Sequence, residues 1–162
     1  MDPAEFDAWY DQAYPRLVHQ IHAMIGDREE AADCVQEAFV RAWSRRRDLS
    51  SDGGRDAWIR TTAYRLAVSR WRRMVRGRRD PDRALGLATH EGPPDETRVA
   101  VVTALRALPE AQRRAIVLHH LADLPVAEVA AETGVPVGTV KARLARGRTA
   151  LATLLHEGAH HG

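Results

Sequence analysis

VPVGTVKARLARGRTALATLL, residues 135–155, carries four basic side chains and no acidic one. Its apolar residues Val140, Leu144, Leu151 and Leu155 recur at spacings of four, seven and four, the period of one helix edge. These four group on one side of a helix and are expected to bury against the segments before them. Opposite lie Gly138, Ala142, Ala145 and Thr149, all small. Lys141 and Arg148 flank that strip on one side, and Arg143, Arg146 and Thr139 flank it on the other. Just upstream, PVAEVAAET (125–133) reads as a short helix opened by Pro125 and ended at its C-cap by Gly134. A short helix, a glycine-containing turn and a longer basic helix make a helix-turn-helix. Small residues let such a helix sink into a major groove about 12 Å wide, and the flanking cations then reach base edges or phosphates. A membrane-surface helix would instead need a broad, bulky apolar face.

The rest of the chain also reads as helix. Phe6, Tyr10, Ala13, Leu17, Ile21 and Met24 form a helical stripe over residues 5–24, which Pro15 should kink or split. Gly26 ends that helix, and Asp27 followed by Glu30 resembles a capping box opening the next. Residues 27–43 present Ala31, Val35, Ala38 and Ala42 as a core stripe beside Phe39, and Cys34 falls in it. After a loop at 49–54, a third helix over roughly 55–76 should bury Trp58, Ile59, Thr62, Ala63 and Leu66. Residues 77–96, with three prolines and three glycines, read as a connector. Beyond it Val99, Val102, Leu105 and Leu108 make a short helix stopped by Pro109. Pro109 in turn suits the first turn of a scaffold helix that runs to about Leu121 and carries Arg114 on a solvated face. The fold class is therefore all-α. Two small helical domains, 1–79 and 97–157, are joined by an acidic linker at 80–96 and followed by a tail at 158–162.

Charge is segregated along the chain. Residues 1–40 hold 2 basic and 9 acidic side chains, net −7, whereas residues 41–79 hold 13 and 3, net +10. The linker segment 80–97 has 1 basic and 5 acidic, net −4, and residues 136–162 have 4 and 1, net +3. Two basic blocks separated by an acidic connector suit two contacts with a polyanion. No apolar run approaches the length needed to cross a bilayer, and the acidic start MDPAEFDAWYD does not read as a signal peptide. The single cysteine excludes an intramolecular disulfide framework and fits a reducing, cytoplasmic setting. No Ser-His-Asp set or phosphate-binding glycine loop is evident, so the chain is expected not to be an enzyme and to need no cofactor or metal. HEGAH (156–160) matches the zinc-protease spacing, but it lies at the chain end with Gly158 inside it. His19 and His22 share a helix face and read as a solvated pair.

Two further surfaces invite assignment. Asp33, Gln36, Glu37 and Arg41 are the polar residues of the 27–43 helix, and by periodicity alone they are simply its solvated face. WIRTTAYRLAVSRWRRMVRGRR (58–79) interleaves arginines with Trp58, Tyr64 and Trp71. Cations that track a backbone and rings that stack unpaired bases suit opened or single-stranded DNA. Trp58 beside Ile59 reads as core; Trp71 among arginines is more open.

Four stretches together resemble the bacterial RNA polymerase sigma factors of the extracytoplasmic-function (ECF) type, within the sigma-70 family. They are GDREEAADCVQEAFVRAW (26–43), DAWIRTTAYRLAVSRWRR (56–73), LPEAQRRAIVLHHLADLPVAEVAAETGVP (108–136) and VGTVKARLARGRTAL (137–151). They follow the family's order and spacing over most of both domains. The resemblance implies a transcription initiation factor whose partners are core RNA polymerase, through the clamp of the largest subunit and the flap of the second largest, and promoter DNA. An anti-sigma factor is a possible further partner, and no membrane is expected to be.

By that resemblance Asp33, Gln36, Glu37 and Arg41 become polymerase contacts. Residues 1–79 become the −10-binding domain, with Arg47, Ser50, Arg55, Arg65, Arg70, Trp71, Arg72 and Arg73 toward DNA. The segment Arg47–Gly54 is implied to capture a flipped base, for which its pocket must repay an unstacking cost. Thr139, Lys141, Ala142, Arg143, Ala145, Arg146 and Arg148 become the −35 contacts. The chain departs from the family where Arg65 replaces the usual Asn and Ser69 the usual acid, which makes the DNA-facing side more basic. The linker, with Asp80, Asp82, Glu91, Asp95 and Glu96, is implied to thread the RNA path of the polymerase. The alternative from the residues alone is a stand-alone helix-turn-helix regulator with an N-terminal interaction domain, which would bind duplex operator without polymerase.

Overall fold

A computed structural model describes residues 1–49, 54–77 and 96–160. Ser50, the linker acids Asp80, Asp82, Glu91 and Asp95, and the last two residues lie outside them. The chain divides into two compact units, Met1–Thr89 and His90–Gly162, each taken by itself below. Among the described residues every regular element is a helix.

Unit one is built from α1 (Pro3–Ile25), α2 (Arg28–Ser44) and α3 (Gly54–Gly77), each packed on the other two. A capping box starts α1: Glu5 N–H donates to Asp2 Oδ1 at 2.8 Å, and Asp2 N–H donates to Glu5 Oε2 at 3.0 Å. Pro15 does not split this helix, which runs unbroken through it. The carbonyl that loses its N–H partner belongs to Asp11, and both residues are exposed, so water can serve it. Gly26 closes α1 in the left-handed region at φ 82°, where other residues pay a steric cost. Asp27 caps α2 by accepting from Glu30 N–H at 3.1 Å. Only that half of a capping box forms, because the Glu30 carboxylate turns toward Cys34 and Arg70 instead.

The core holds Phe6, Trp9, Leu17, Ile21, Val35, Phe39 and Ile59, with Phe6 edge-on to Trp9 at 5.5 Å and to Trp43 at 5.0 Å. Two expectations need correction. The buried stripe of α3 is Ile59, Arg60, Ala63, Tyr64 and Ala67, one position around from the stripe through Trp58, Thr62 and Leu66, which are half-buried. Two helices flank α3, and the stripe settles between them; Arg60 fits because its guanidinium reaches Gln20 Oε1 at 3.4 Å. His22 is buried rather than solvated, on the inner side of α1 next to Ile21 and Ala23.

Unit two contains α4 (Glu96–Arg106), α5 (Glu110–Ile116), α6 (Val126–Thr133) and α7 (Val137–His160). The scaffold helix does reach Leu121, but its last turn, Val117–Leu121, widens into a π-helix, where Ala122 N–H donates to Val117 O at 2.9 Å. Pro109 and Pro125 stand at the N-caps of α5 and α6, one residue before the first turn. Gly134, at φ 73°, ends α6 and turns the chain toward α7. Arg114 is half-buried with its Nε shielded from solvent, contrary to its expected solvated face.

Val140 and Leu144 bury fully against the scaffold, but Leu151 is half-buried and Leu155 exposed, so the inward seam of α7 fades toward its end. Gly147 continues the seam in their place. A Cβ added there would stand 2.8 Å from Ile116 Cγ1 and 3.2 Å from Ile116 Cδ1. Gly147→Val is therefore expected to destabilise unit two by about 2 kcal/mol through overpacking, read as a drop of roughly 10 °C in its thermal transition. An unchanged transition would mean that α7 does not seat on Ile116.

Candidate polymerase and nucleic-acid interfaces

The first four turns of α7 separate their side chains cleanly. Val140, Leu144 and Gly147 face the scaffold, while Lys141, Ala142, Ala145, Arg146 and Arg148 are exposed and Thr139 and Arg143 half-buried. Among the described residues no carboxylate forms an ion pair with Lys141, Arg143, Arg146 or Arg148. The Thr149 hydroxyl donates to the Ala145 carbonyl at 3.0 Å, which keeps it against its own helix. The surface is thus a shallow strip edged by uncommitted cations, the shape and charge that a major groove accepts. Sequence reading passed over His120, near the end of the scaffold helix. His120 is exposed there, and burial, then His119 and then Arg148, hold its imidazole below the usual range. Its ring meets that of His119 edge-on at 4.8 Å, and the His119-His120 dipeptide was the available signal.

On α2, Asp33, Gln36 and Arg41 are exposed, and Glu37 is half-buried with its Oε1 3.4 Å from Arg41 Nη2. The same side carries Val40, 66% exposed, and Trp43, 40% exposed. Val40 and Trp43 thus lie beside the acidic row, and sequence reading did not single them out. Tyr14 of α1 stacks on Tyr10 at 5.0 Å; burial first, then Tyr10 and Asp33, raise its phenol.

On α3, Arg65, Arg72 and Arg73 are exposed, Trp71 is 37% exposed, and Arg47 is exposed just past α2. Two of the expected DNA contacts are held differently. Arg55 lies over the Trp9 ring, 5.1 Å from its centroid. Arg70 turns inward: its Nη1 is 3.3 Å from Glu30 Oε1 and 3.5 Å from Cys34 Sγ. Burial pushes the Cys34 thiol up to about 12, with Glu30 adding to the effect and Arg70 opposing it. Because the folded value exceeds the ordinary one, the protonated thiol favours the folded state below the ordinary thiol range. That contribution fades as pH rises from there toward 12. Cys34 should accordingly react with iodoacetamide at pH 8 at least about tenfold more slowly in the native protein than after unfolding in urea. Equal rates would show the thiol to be open.

Among the described residues no group of His, Cys, Asp or Glu is placed to hold a metal ion. The sigma-70 region 2 family matches residues 9–77, and the sigma-70 region 4 family matches residues 98–151. The ECF RNA polymerase sigma factor SigM of Mycobacterium tuberculosis is 31% identical over 150 residues, covering 90% of this chain and 76% of its own. The ECF RNA polymerase sigma factor SigW of Bacillus subtilis is 29% identical, covering 93% and 90%. The RNA polymerase sigma-H factor of Pseudomonas aeruginosa is 28% identical, covering 93% and 86%. In fold, the sigma factor RpoE of Bartonella quintana, solved in complex with the anti-sigma factor NepR, superposes with a TM-score of 0.80 at 24% identity, over 94% of this chain and 97% of that one. With a region 2 unit followed by a region 4 helix-turn-helix, the chain belongs to the ECF RNA polymerase sigma factors, transcription initiation factors of the sigma-70 family.

Proposed function

We propose that the two units divide promoter recognition between them. In unit two, α7 enters the major groove of the −35 element, Lys141 on one wall and Arg146 with Arg143 on the other. In unit one, Asp33, Gln36, Glu37 and Arg41 dock on the clamp of the largest polymerase subunit. The basic side of α3, through Arg65, Trp71, Arg72 and Arg73, follows the opened −10 strand together with Arg47, Ser50 and Arg55. Arg70 contributes from behind, holding α3 to α2 through Glu30. The acidic linker would occupy the RNA path and give way to the growing transcript, and unit two would also meet the flap of the second-largest subunit. Among the described residues no helix is long and apolar enough to cross a membrane, and we place the protein in the cytoplasm as a non-enzymatic factor. An anti-sigma partner accords with the solved complex of the fold relative.

The observation that carries this reading is the row of cations, none of them ion-paired among the described residues, around a strip of small residues on α7. The test adds the protein to core RNA polymerase and measures run-off transcription from candidate promoters, with core alone and protein alone as comparisons. Promoter-specific transcripts are expected only with both. A protein that binds duplex promoter tightly by itself, and adds nothing to core, would instead be the stand-alone regulator.

A further inference from the structure

Asp56 is the acidic residue in the first turn of α3, and its two oxygens serve different partners on α1. Trp9 Nε1 donates to Oδ1 at 2.8 Å, and Arg16 Nη2 donates to Oδ2 at 3.0 Å. Trp9 is 2% exposed, so its indole N–H needs a protein acceptor, and Asp56 supplies it. The preceding residue, Arg55, lays its guanidinium over the face of the same indole. One tryptophan therefore grips two successive residues, a carboxylate at its edge and a cation on its face. The chain leaves α2 in a matching way. The Arg46 guanidinium lies 4.0 Å from the Trp43 ring centroid, and Nη1 donates to the Trp43 carbonyl at 2.9 Å. Phe6 touches both tryptophans edge-on, so the two seats belong to one aromatic cluster.

We propose that Asp56 is a positioning residue for promoter DNA: with Trp9 and Arg16 it fixes the start of α3 so that Arg55 meets a phosphate of the −10 strand from a preset place. A guanidinium resting on a ring keeps its edge N–H groups free to donate outward. Part of the rotamer freedom that a long side chain loses on binding has then been lost already in folding. The proposal rests on reading unit one as the −10-binding unit.

The test uses holoenzyme assembled from the full chain and core polymerase. Its probe is a fork-junction DNA, duplex over the −35 element with a single non-template strand across −10, taken from a promoter the holoenzyme transcribes. Arg55→Ala and Asp56→Ala should each weaken binding about tenfold, and the double substitution should be no worse than either alone, because both remove one contact. Asp56→Asn keeps an acceptor for Trp9 but loses the charge facing Arg16, and should lose about threefold. Core association and binding to a duplex −35 fragment should stay at wild-type levels for all of them, which a general loss of folding would not allow. Losses that multiply in the double substitution, or Asp56→Ala and Asp56→Asn both binding like wild type, would overturn the proposal. Should Arg72→Ala and Arg73→Ala weaken the fork while Arg55→Ala and Asp56→Ala do not, the clamp fails and the −10 reading stands. Should none of the four matter, the reading falls and the clamp with it.

Discussion

Ala145→Glu should reduce transcription from a −35-dependent promoter about a hundredfold. The side chain sits in the exposed small strip of α7, and a carboxylate there would project into a groove lined by phosphates. Arg146→Ala should cost roughly tenfold to a hundredfold, the worth of one good contact at about 1–3 kcal/mol. The two differ in salt response. Losing a phosphate contact lowers the slope of log affinity against log salt by about 0.9, whereas an added carboxylate leaves the remaining contacts in place. Neither should alter association with core polymerase through unit one. Thr103→Ala, on the exposed side of α4, is the control; Arg114, half-buried, would confound stability with binding. Wild-type transcription by both Ala145→Glu and Arg146→Ala at physiological salt would mean that α7 faces protein or solvent instead of DNA.

Reversing Asp33 to Arg should all but eliminate association with core polymerase, a loss of about a hundredfold or more, since a lost attraction becomes a repulsion at a docking surface. Asp33 is exposed and takes part in no ion pair among the described residues, so the helix itself should tolerate the change. Gln36→Lys should act in the same direction. The measurement is co-purification with core alongside far-ultraviolet circular dichroism. Variants that retain full helicity and still co-purify at wild-type yield would remove α2 as the docking surface.

What could be read directly from the sequence was local. Asp27 and Gly26 at one junction and Gly134 at another act within a turn of their own position, so their side-chain chemistry announces them. The inward seam of α7 was legible for the same reason as far as Leu144. Beyond that the wheel was misleading in both directions. Gly147 falls about 20° from Val140 and was the third seam residue, but a glycine brings no apolar signal. Leu151 and Leu155 bring the signal but have less scaffold beneath them. Arg70, Arg55 and Asp56 could not have been placed, because what fixes them lies 40 or more residues away: Glu30 for Arg70, Trp9 for Arg55 and Asp56. His22 shows a related limit: the apolar stripe through Leu17 and Ile21 marks the inner side of α1, but not how far around the helix burial extends. The site residues themselves came from motif order, and Ser50 and the linker acids other than Glu96 fall outside the described residues.

The seating of α7 has a mechanical consequence. Val140, Leu144 and Gly147 act as three bearings, and Lys141, Arg143 and Arg146 are interleaved with them along the same span. With DNA bound as proposed, force from the groove would therefore arrive close to a support, with a short lever arm to tilt the helix. Beyond Thr149 the helix continues to His160 as an overhang whose seam is only half-covered, and a load applied there would act through a long arm. In the proposed role, a helix mounted over its bearings should resist deflection toward a mismatched groove, so that discrimination between promoters would be expressed as binding energy and not absorbed by flexing of the protein.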